Sequence, residues 1–126
     1  MTLNGKELDF TFNPMDADDM ERYDKAQTHI AERDALLKEQ GELKTYEMIR
    51  WQCHSVFEFF NIIFGEGTDK AIFGGQTSLD VCFEVLAEFM AYVSKGSENV
   101  VKMTSKYMTD RLERAKPGKY VAKRVK

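Results

Sequence analysis

Apolar side chains recur along this chain with two different periods. Near the start, Leu8, Phe10 and Phe12 alternate with Asp9 and Thr11, the two-residue period of a strand with one apolar face. Asn4-Gly5 precedes them and is a favoured pair for a type I′ turn, where both central residues need positive φ. The pattern predicts a β-hairpin over Thr2–Phe12. Its first strand must be very short, because only Thr2 and Leu3 lie between the initiator methionine and the turn. A two-stranded ribbon is marginal alone, so it must lie on helices or pair with another chain.

After Asn13-Pro14 the spacing turns helical, and four helices are predicted. The first is capped by Asp16, carries Asp18, Asp19 and Glu21 at its positive end, and stops near Gln40-Gly41. Its apolar stripe (Met20, Tyr23, Ala26, Ile30, Leu37) is thin, which suits a helix that buries one edge or meets another helix in coiled-coil fashion. His29 sits beside that stripe with no identifiable base, nucleophile or ligand partner. The second helix spans Glu42–Phe64, with Ile49, Cys53, Val56, Phe57 and Phe60 at three- and four-residue steps. Trp51, Phe59, Ile62 and Ile63 broaden that face, and Tyr46 extends it. So wide an apolar surface implies burial on more than one side, which makes Tyr46, Trp51, Phe59, Ile62 and Ile63 candidate partner contacts.

A glycine-punctuated loop, Gly65–Gln76, follows, with Gly65 expected as the left-handed residue ending the second helix. Thr77 and Asp80 give a capping signal for a third helix, whose apolar face carries Leu79, Cys82, Phe83, Leu86, Phe89, Met90 and Val93. Lys95-Gly96 is expected to end it. Ser97 or Asn99 then opens a fourth helix to about Ala115, with Val100, Met103, Tyr107, Met108 and Leu112 on its apolar side. Pro117-Gly118 stops that helix. The expected organisation is one mainly α domain over residues 1–115, four helices and a short N-terminal hairpin, followed by a basic flexible tail over residues 116–126.

At 126 residues the chain can bury one core without disulfide or metal staples. No apolar run approaches the roughly 18 residues that span a bilayer, and MTLNGKELDF has neither the basic start nor the apolar stretch of a secretory signal. The expected location is therefore cytoplasmic. Charge is uneven: residues 1–114 hold 21 acidic and 13 basic side chains, whereas Ala115–Lys126 holds five cations and no acid. A basic tail on an acidic body can meet nucleic acid, an acidic partner or the body itself. Tyr120 among the cations is a weak signal for single-stranded nucleic acid, and the acidic body opposes it.

The candidate chemistry is thin. FGEGTDKAIFGG invites a phosphate-binding reading, because glycine-rich loops expose amides to anions. Yet the GxxxxGK[ST] order is missing, a helix rather than a strand precedes it, and Glu66 and Asp69 would repel a phosphate. The loop is better read as geometry: Gly65, Gly67, Gly74 and Gly75 supply unusual backbone angles while Phe64 and Phe73 plug the core. Cys53 and Cys82 lie within apolar helical patterns and are expected as reduced core residues, with no CxxC or HxxxH spacing for a metal. Glu84 and Glu88 share a polar face, and adjacent Cys53 and His54 point about 100° apart on a helix. No catalytic, cofactor-binding or metal residue is assigned, and a non-enzymatic protein is expected.

The order NGKELDFTF, DADDMERYDKA and FFNIIFGEGTDKAIFGGQTSLDVCFEVLAEFMAYV resembles a family of small, mostly uncharacterised proteins of tailed phages and prophages of Gram-positive bacteria. The distinctive element is the FGEGT…FGG loop, here Phe64, Gly65, Glu66 and Gly67 at one end and Phe73, Gly74 and Gly75 at the other. The likeness runs over roughly Leu3–Val93 and does not extend to Val100–Lys126. In character the family is similar to tail assembly chaperones, small acidic helical proteins that coat the tape-measure protein while the tail is built. The resemblance implies a role in tail assembly in the host cytoplasm and a helical client; the free strand edges of the short hairpin and the thin stripe of the first helix add the expectation of a homo-oligomer. A small tail or connector subunit, or a phage-encoded regulator of a host protein, are the rival expectations.

Overall fold

The computed structural model describes the backbone of residues 1–115 and the side chains of residues 1–109. The expected basic tail, 116–126, lies outside the described residues. The chain is mainly helical, with a two-stranded antiparallel hairpin at its start. Strands β1 (Thr2–Leu3) and β2 (Lys6–Glu7) pair Thr2 with Glu7 and Leu3 with Lys6. Asn4 (φ 56°) and Gly5 (φ 71°) form the turn expected of them.

The second strand ends at Glu7, short of the predicted Phe12. The Met1 carbonyl accepts the Leu8 amide at 2.8 Å, and the Met1 nitrogen donates to the Leu8 and Phe10 carbonyls, in place of a regular ladder. The alternation survives without the ladder. Leu8 and Phe10 are half-buried and Phe12 is buried, while Asp9 and Thr11 face solvent.

Helix α1 (Ala17–Glu39) begins as expected, with the Asp16 carboxylate accepting the Asp19 amide at 2.9 Å. Its thin stripe buries only Ala26 completely. Helix α2 (Thr45–Phe64) starts three residues later than predicted, because the Glu47 carboxylate takes the Lys44 amide at 2.9 Å and fixes Lys44 as the extended residue before the first turn. The two helices run antiparallel: Arg22 donates to the Ile63 carbonyl and Arg33 to the Trp51 carbonyl.

The loop after α2 contains a short helix, α3 (Thr68–Phe73), which six residues are too few to announce by periodicity. Gly65 ends α2 with φ 113° and ψ 164°, outside the left-handed helical well expected for it. Gly74 does occupy that well (φ 63°, ψ 24°) and turns the chain out of α3.

Helix α4 (Leu79–Ala115) joins the third and fourth predicted helices into one of 37 residues. Its first turn is entered through Ser78, not Thr77: the Ser78 carbonyl accepts the Cys82 amide and its hydroxyl donates to Asp80. Gly96 does not stop the helix. A Cβ there would lie 2.3 Å from Pro14 Cβ and 2.4 Å from Pro14 Cγ, so the missing side chain is the space into which the Asn13-Pro14 turn packs. A glycine that resembles a helix terminator is a site of close approach between the N-terminal segment and the longest helix.

These elements enclose an aromatic core. Phe59, Phe60 and Phe89 are fully buried. Phe89 lies edge-on to Phe12 (5.1 Å between centroids), Phe60 (5.5 Å) and Phe64 (5.7 Å), and tilted against Tyr23 at 6.0 Å. Edge-to-face pairs are worth about 0.5–1.5 kcal/mol beyond the area they bury.

Gly96→Ala should destabilise the protein by about 1–3 kcal/mol through overpacking against Pro14. That exceeds the ~1 kcal/mol that alanine gains in a helix interior. Urea unfolding of the variant checks the sign: a more stable protein would mean that Gly96 is only a weak helix residue.

Candidate functional site

Three regions carry polar or reactive groups in close company. In the first, the glycine loop, Phe64 stacks on Phe10 at 4.1 Å and Phe73 is buried against Phe57 and Phe60. Gly65, Gly67, Gly74 and Gly75 all have positive φ, and Glu66 is exposed. The polar contacts of the loop are internal. The Thr68 hydroxyl donates to the Gly65 carbonyl (2.7 Å), the Asn61 side chain accepts the Asp69 amide (2.9 Å), and the Asn4 side chain donates to the Ile72 carbonyl (2.9 Å). The last bond ties the hairpin turn to α3. These groups shape backbone, as the sequence predicts for them.

The second region is a polar tie between α1 and α2. His29 Nε2 lies 2.6 Å from Glu58 Oε1, and Arg33 Nη1 lies 3.8 Å from Glu58 Oε2. Arg33 also donates to the buried Ser55 hydroxyl (2.7 Å) and the Trp51 carbonyl (3.0 Å), with its guanidinium 4.3 Å from the Trp51 ring centre. Trp51 Nε1 returns a bond to the Arg33 carbonyl at 3.2 Å. His29 therefore has the partner that sequence spacing could not supply, because Glu58 lies on another helix. The Ser55 hydroxyl donates to the Trp51 carbonyl at 3.1 Å, so serine and imidazole serve separate partners in a helix-joining network.

Third, Cys53 of α2 and Cys82 of α4 are both buried free thiols, as expected of reduced core cysteines. Burial pushes the Cys82 thiol up to about 12, and a hydrogen bond with Cys53 adds to the effect. A thiol that stays protonated at neutral pH is a poor nucleophile.

The five candidate partner contacts do not share one surface. Tyr46 is 55% exposed and Trp51 and Ile62 are half-buried, but Phe59 (0%) and Ile63 (3%) belong to the core. The broad face of α2 is covered within the chain by the Phe10–Phe12 segment, α1, α3 and α4. The exposed apolar residues lie elsewhere. Leu36 (50%) stands with Tyr46 and Met48 (44%) at the tip where α1 ends and α2 begins. Val101, Met103 and Met108 lie on the second half of α4, where residues 101–109 are all exposed. The signal for this arm was present in the apolar spacing beyond Gly96; it could be recognised only once the helix was known to run on past its body.

A cleft of about 530 Å³ opens between the hairpin and α4, lined by Met1, Leu3, Phe12, Glu88 and Tyr92 among others. Tyr92 closes its floor by donating to the Phe12 carbonyl at 2.8 Å. Among the described residues, no cluster of three His, Cys, Asp or Glu is placed to hold a metal, and no helix is long and apolar enough to cross a membrane.

Residues 4–120 match the model of the DUF6673 family, a family of unknown function. The chain belongs to that family. Comparison with curated proteins and with solved structures finds no match.

The thiol environment makes two expectations. Because Cys82 holds its proton in the folded state, stability should fall as pH rises from about 9 towards 12, where the unfolded thiol ionises first. At pH 8, a maleimide should label neither cysteine until denaturant is added, as read by mass spectrometry. Rapid labelling of the folded protein would contradict the buried placement of both thiols.

Proposed function

We propose that this DUF6673 member is a non-enzymatic phage tail assembly protein, a chaperone that holds a helical client such as the tape-measure protein. The observation that carries the reading is the apolar tip of the α1–α2 pair. Leu36, Tyr46 and Met48 are exposed there on two antiparallel helices, with Leu37 and Ile49 half-buried beneath. Tyr46 and Met48, two residues apart, lie on opposite sides of α2, so exposed apolar side chains flank the helix pair and can meet the apolar face of a third helix. The tie of Arg33 with Trp51 and Ser55 holds the tip rigid just below it, so a client would meet a preorganised surface. The likeness of the FGEGT…FGG segment to phage proteins supplies the class of client. Both reasons support the reading from outside any catalytic chemistry.

Tyr46→Asp and Met48→Asp test it. Both side chains are largely exposed, so the variants should melt within a degree or two of the parent while losing at least tenfold in affinity for tape-measure fragments from the same phage or prophage, measured by calorimetry. Failure of the parent protein to bind any such fragment, or unchanged binding by the variants, would overturn the proposal. Recovery of the protein in purified virions would favour the rival reading as a tail subunit.

A further inference from the structure

Helix α4 carries a second apolar row besides the one that enters the core. The core row holds Cys82, Phe89 and Val93, all buried. One residue further round the helix, a second row begins at Phe83 and passes through Met90 and Val101 to Met108. Phe83 is 46%, Val101 65% and Met108 48% exposed, and Met90 is half-buried. Ala87, Ser94, Ser97 and Thr104 fill the places between. The steps alternate four and three residues without a break over about 38 Å of helix. That is the heptad seam of a coiled coil, and its two ends are exposed among the described residues.

The seam is self-complementary when reversed. Laid antiparallel on a second copy about a two-fold axis between Lys95 and Gly96, Phe83 falls opposite Met108 and Met90 opposite Val101. Ala87 then meets Thr104, and Ser94 meets Ser97. Large residues meet at the two ends, and small ones let the helices approach at the centre. This is the a-to-d′ pairing of antiparallel coiled coils, and a two-fold interface requires every contact to occur twice.

Charge has the same symmetry. From Leu79 to Ser94, α4 carries Asp80, Glu84 and Glu88 and no lysine or arginine. From Lys95 to Thr109 it carries Lys95, Lys102 and Lys106 against Glu98 alone. Reversal lays the basic half of one helix along the acidic half of the other; Glu84 flanks the seam, while Glu88, Lys102 and Lys106 stand further round the helix, so the attraction acts between the two halves rather than between paired side chains. A parallel pair would set like charges together.

We propose that the exposed seam of α4 is a homodimer interface in which two copies pair these helices antiparallel, each arm lying along the other copy's body. The occupant is a second copy, because both the apolar spacing and the charge sign match this same helix reversed. The inference stands apart from the tail-assembly reading, since it concerns a different end of the molecule from the α1–α2 tip.

Sedimentation equilibrium on the full chain, with cysteine crosslinking, tests it. The parent should be a dimer that weakens as salt rises. Val101→Glu, at the most exposed seam position, should weaken dimerisation by tenfold or more with helical circular dichroism unchanged. Combining Glu84→Lys and Glu88→Lys should weaken it too, and adding Lys102→Glu and Lys106→Glu in the same chain should restore it. Phe83→Cys mixed with Met108→Cys should give an oxidised heterodimer, while each alone gives little crosslink to itself. A monomeric parent, a dimer indifferent to Val101→Glu, or self-crosslinking of Phe83→Cys in place of the mixed product would each overturn the proposal.

Discussion

Everything else in this fold depends on the burial of Phe89. Its ring is the point at which the N-terminal segment, α1, α2 and α4 meet, through Phe12, Tyr23, Phe60 and Phe64. Burying one such side chain contributes about 1.5–3 kcal/mol, and the edge-on rings around it add directional preference that a cluster of leucines would lack. The irregular stretch from Leu8 to Phe12 has almost no ladder to hold it. It is fixed instead because Phe10 stacks on Phe64 and Phe12 meets Phe89 edge-on. The close passage of Pro14 over Gly96 then determines where α1 begins relative to α4.

Most of the helices were legible because their apolar spacing is strong and their caps are local. Asp16 announces α1 by a bond three residues away, and the rows of α2 and α4 are periodic over many turns. What was not legible depended on residues distant in sequence. Gly96 followed by Ser97 and Asn99 carries every local mark of a helix end, and only Pro14 explains why the helix continues. The alternation from Leu8 to Phe12 gave the correct inward faces but not the hydrogen bonding, because strand length is limited by the partner strand. Phe59 and Ile63 were candidate partner contacts because the width of an apolar face does not say whether a neighbour in the same chain or in another covers it. His29 had no visible partner for the same reason, since Glu58 reaches it only through helix packing.

With the core closed, apolar surface remains at two opposite ends. Helix α4 rises alongside α2 in the same sense, with the Cys82 thiol hydrogen-bonded to that of Cys53 and Phe89 beside Phe60 and Phe64. It leaves the body at the C-terminal end of α2, whereas Leu36, Tyr46 and Met48 crowd the N-terminal end. One end is a pair of helices with exposed apolar side chains, the other a single helix with an apolar row. Between them lie a thiol held protonated, a histidine and an arginine beside one glutamate, and a glycine loop tied to α2 and to the hairpin turn.

A single aromatic hub holds the hairpin segment and three helices together, and equilibrium unfolding of Phe89→Ala in urea tests this most directly. The predicted result is a loss of about 3–5 kcal/mol, a large share of the stability of a small domain. A variant that unfolds cooperatively within about 1 kcal/mol of the parent would contradict it, because the elements would then be held together by something other than that ring.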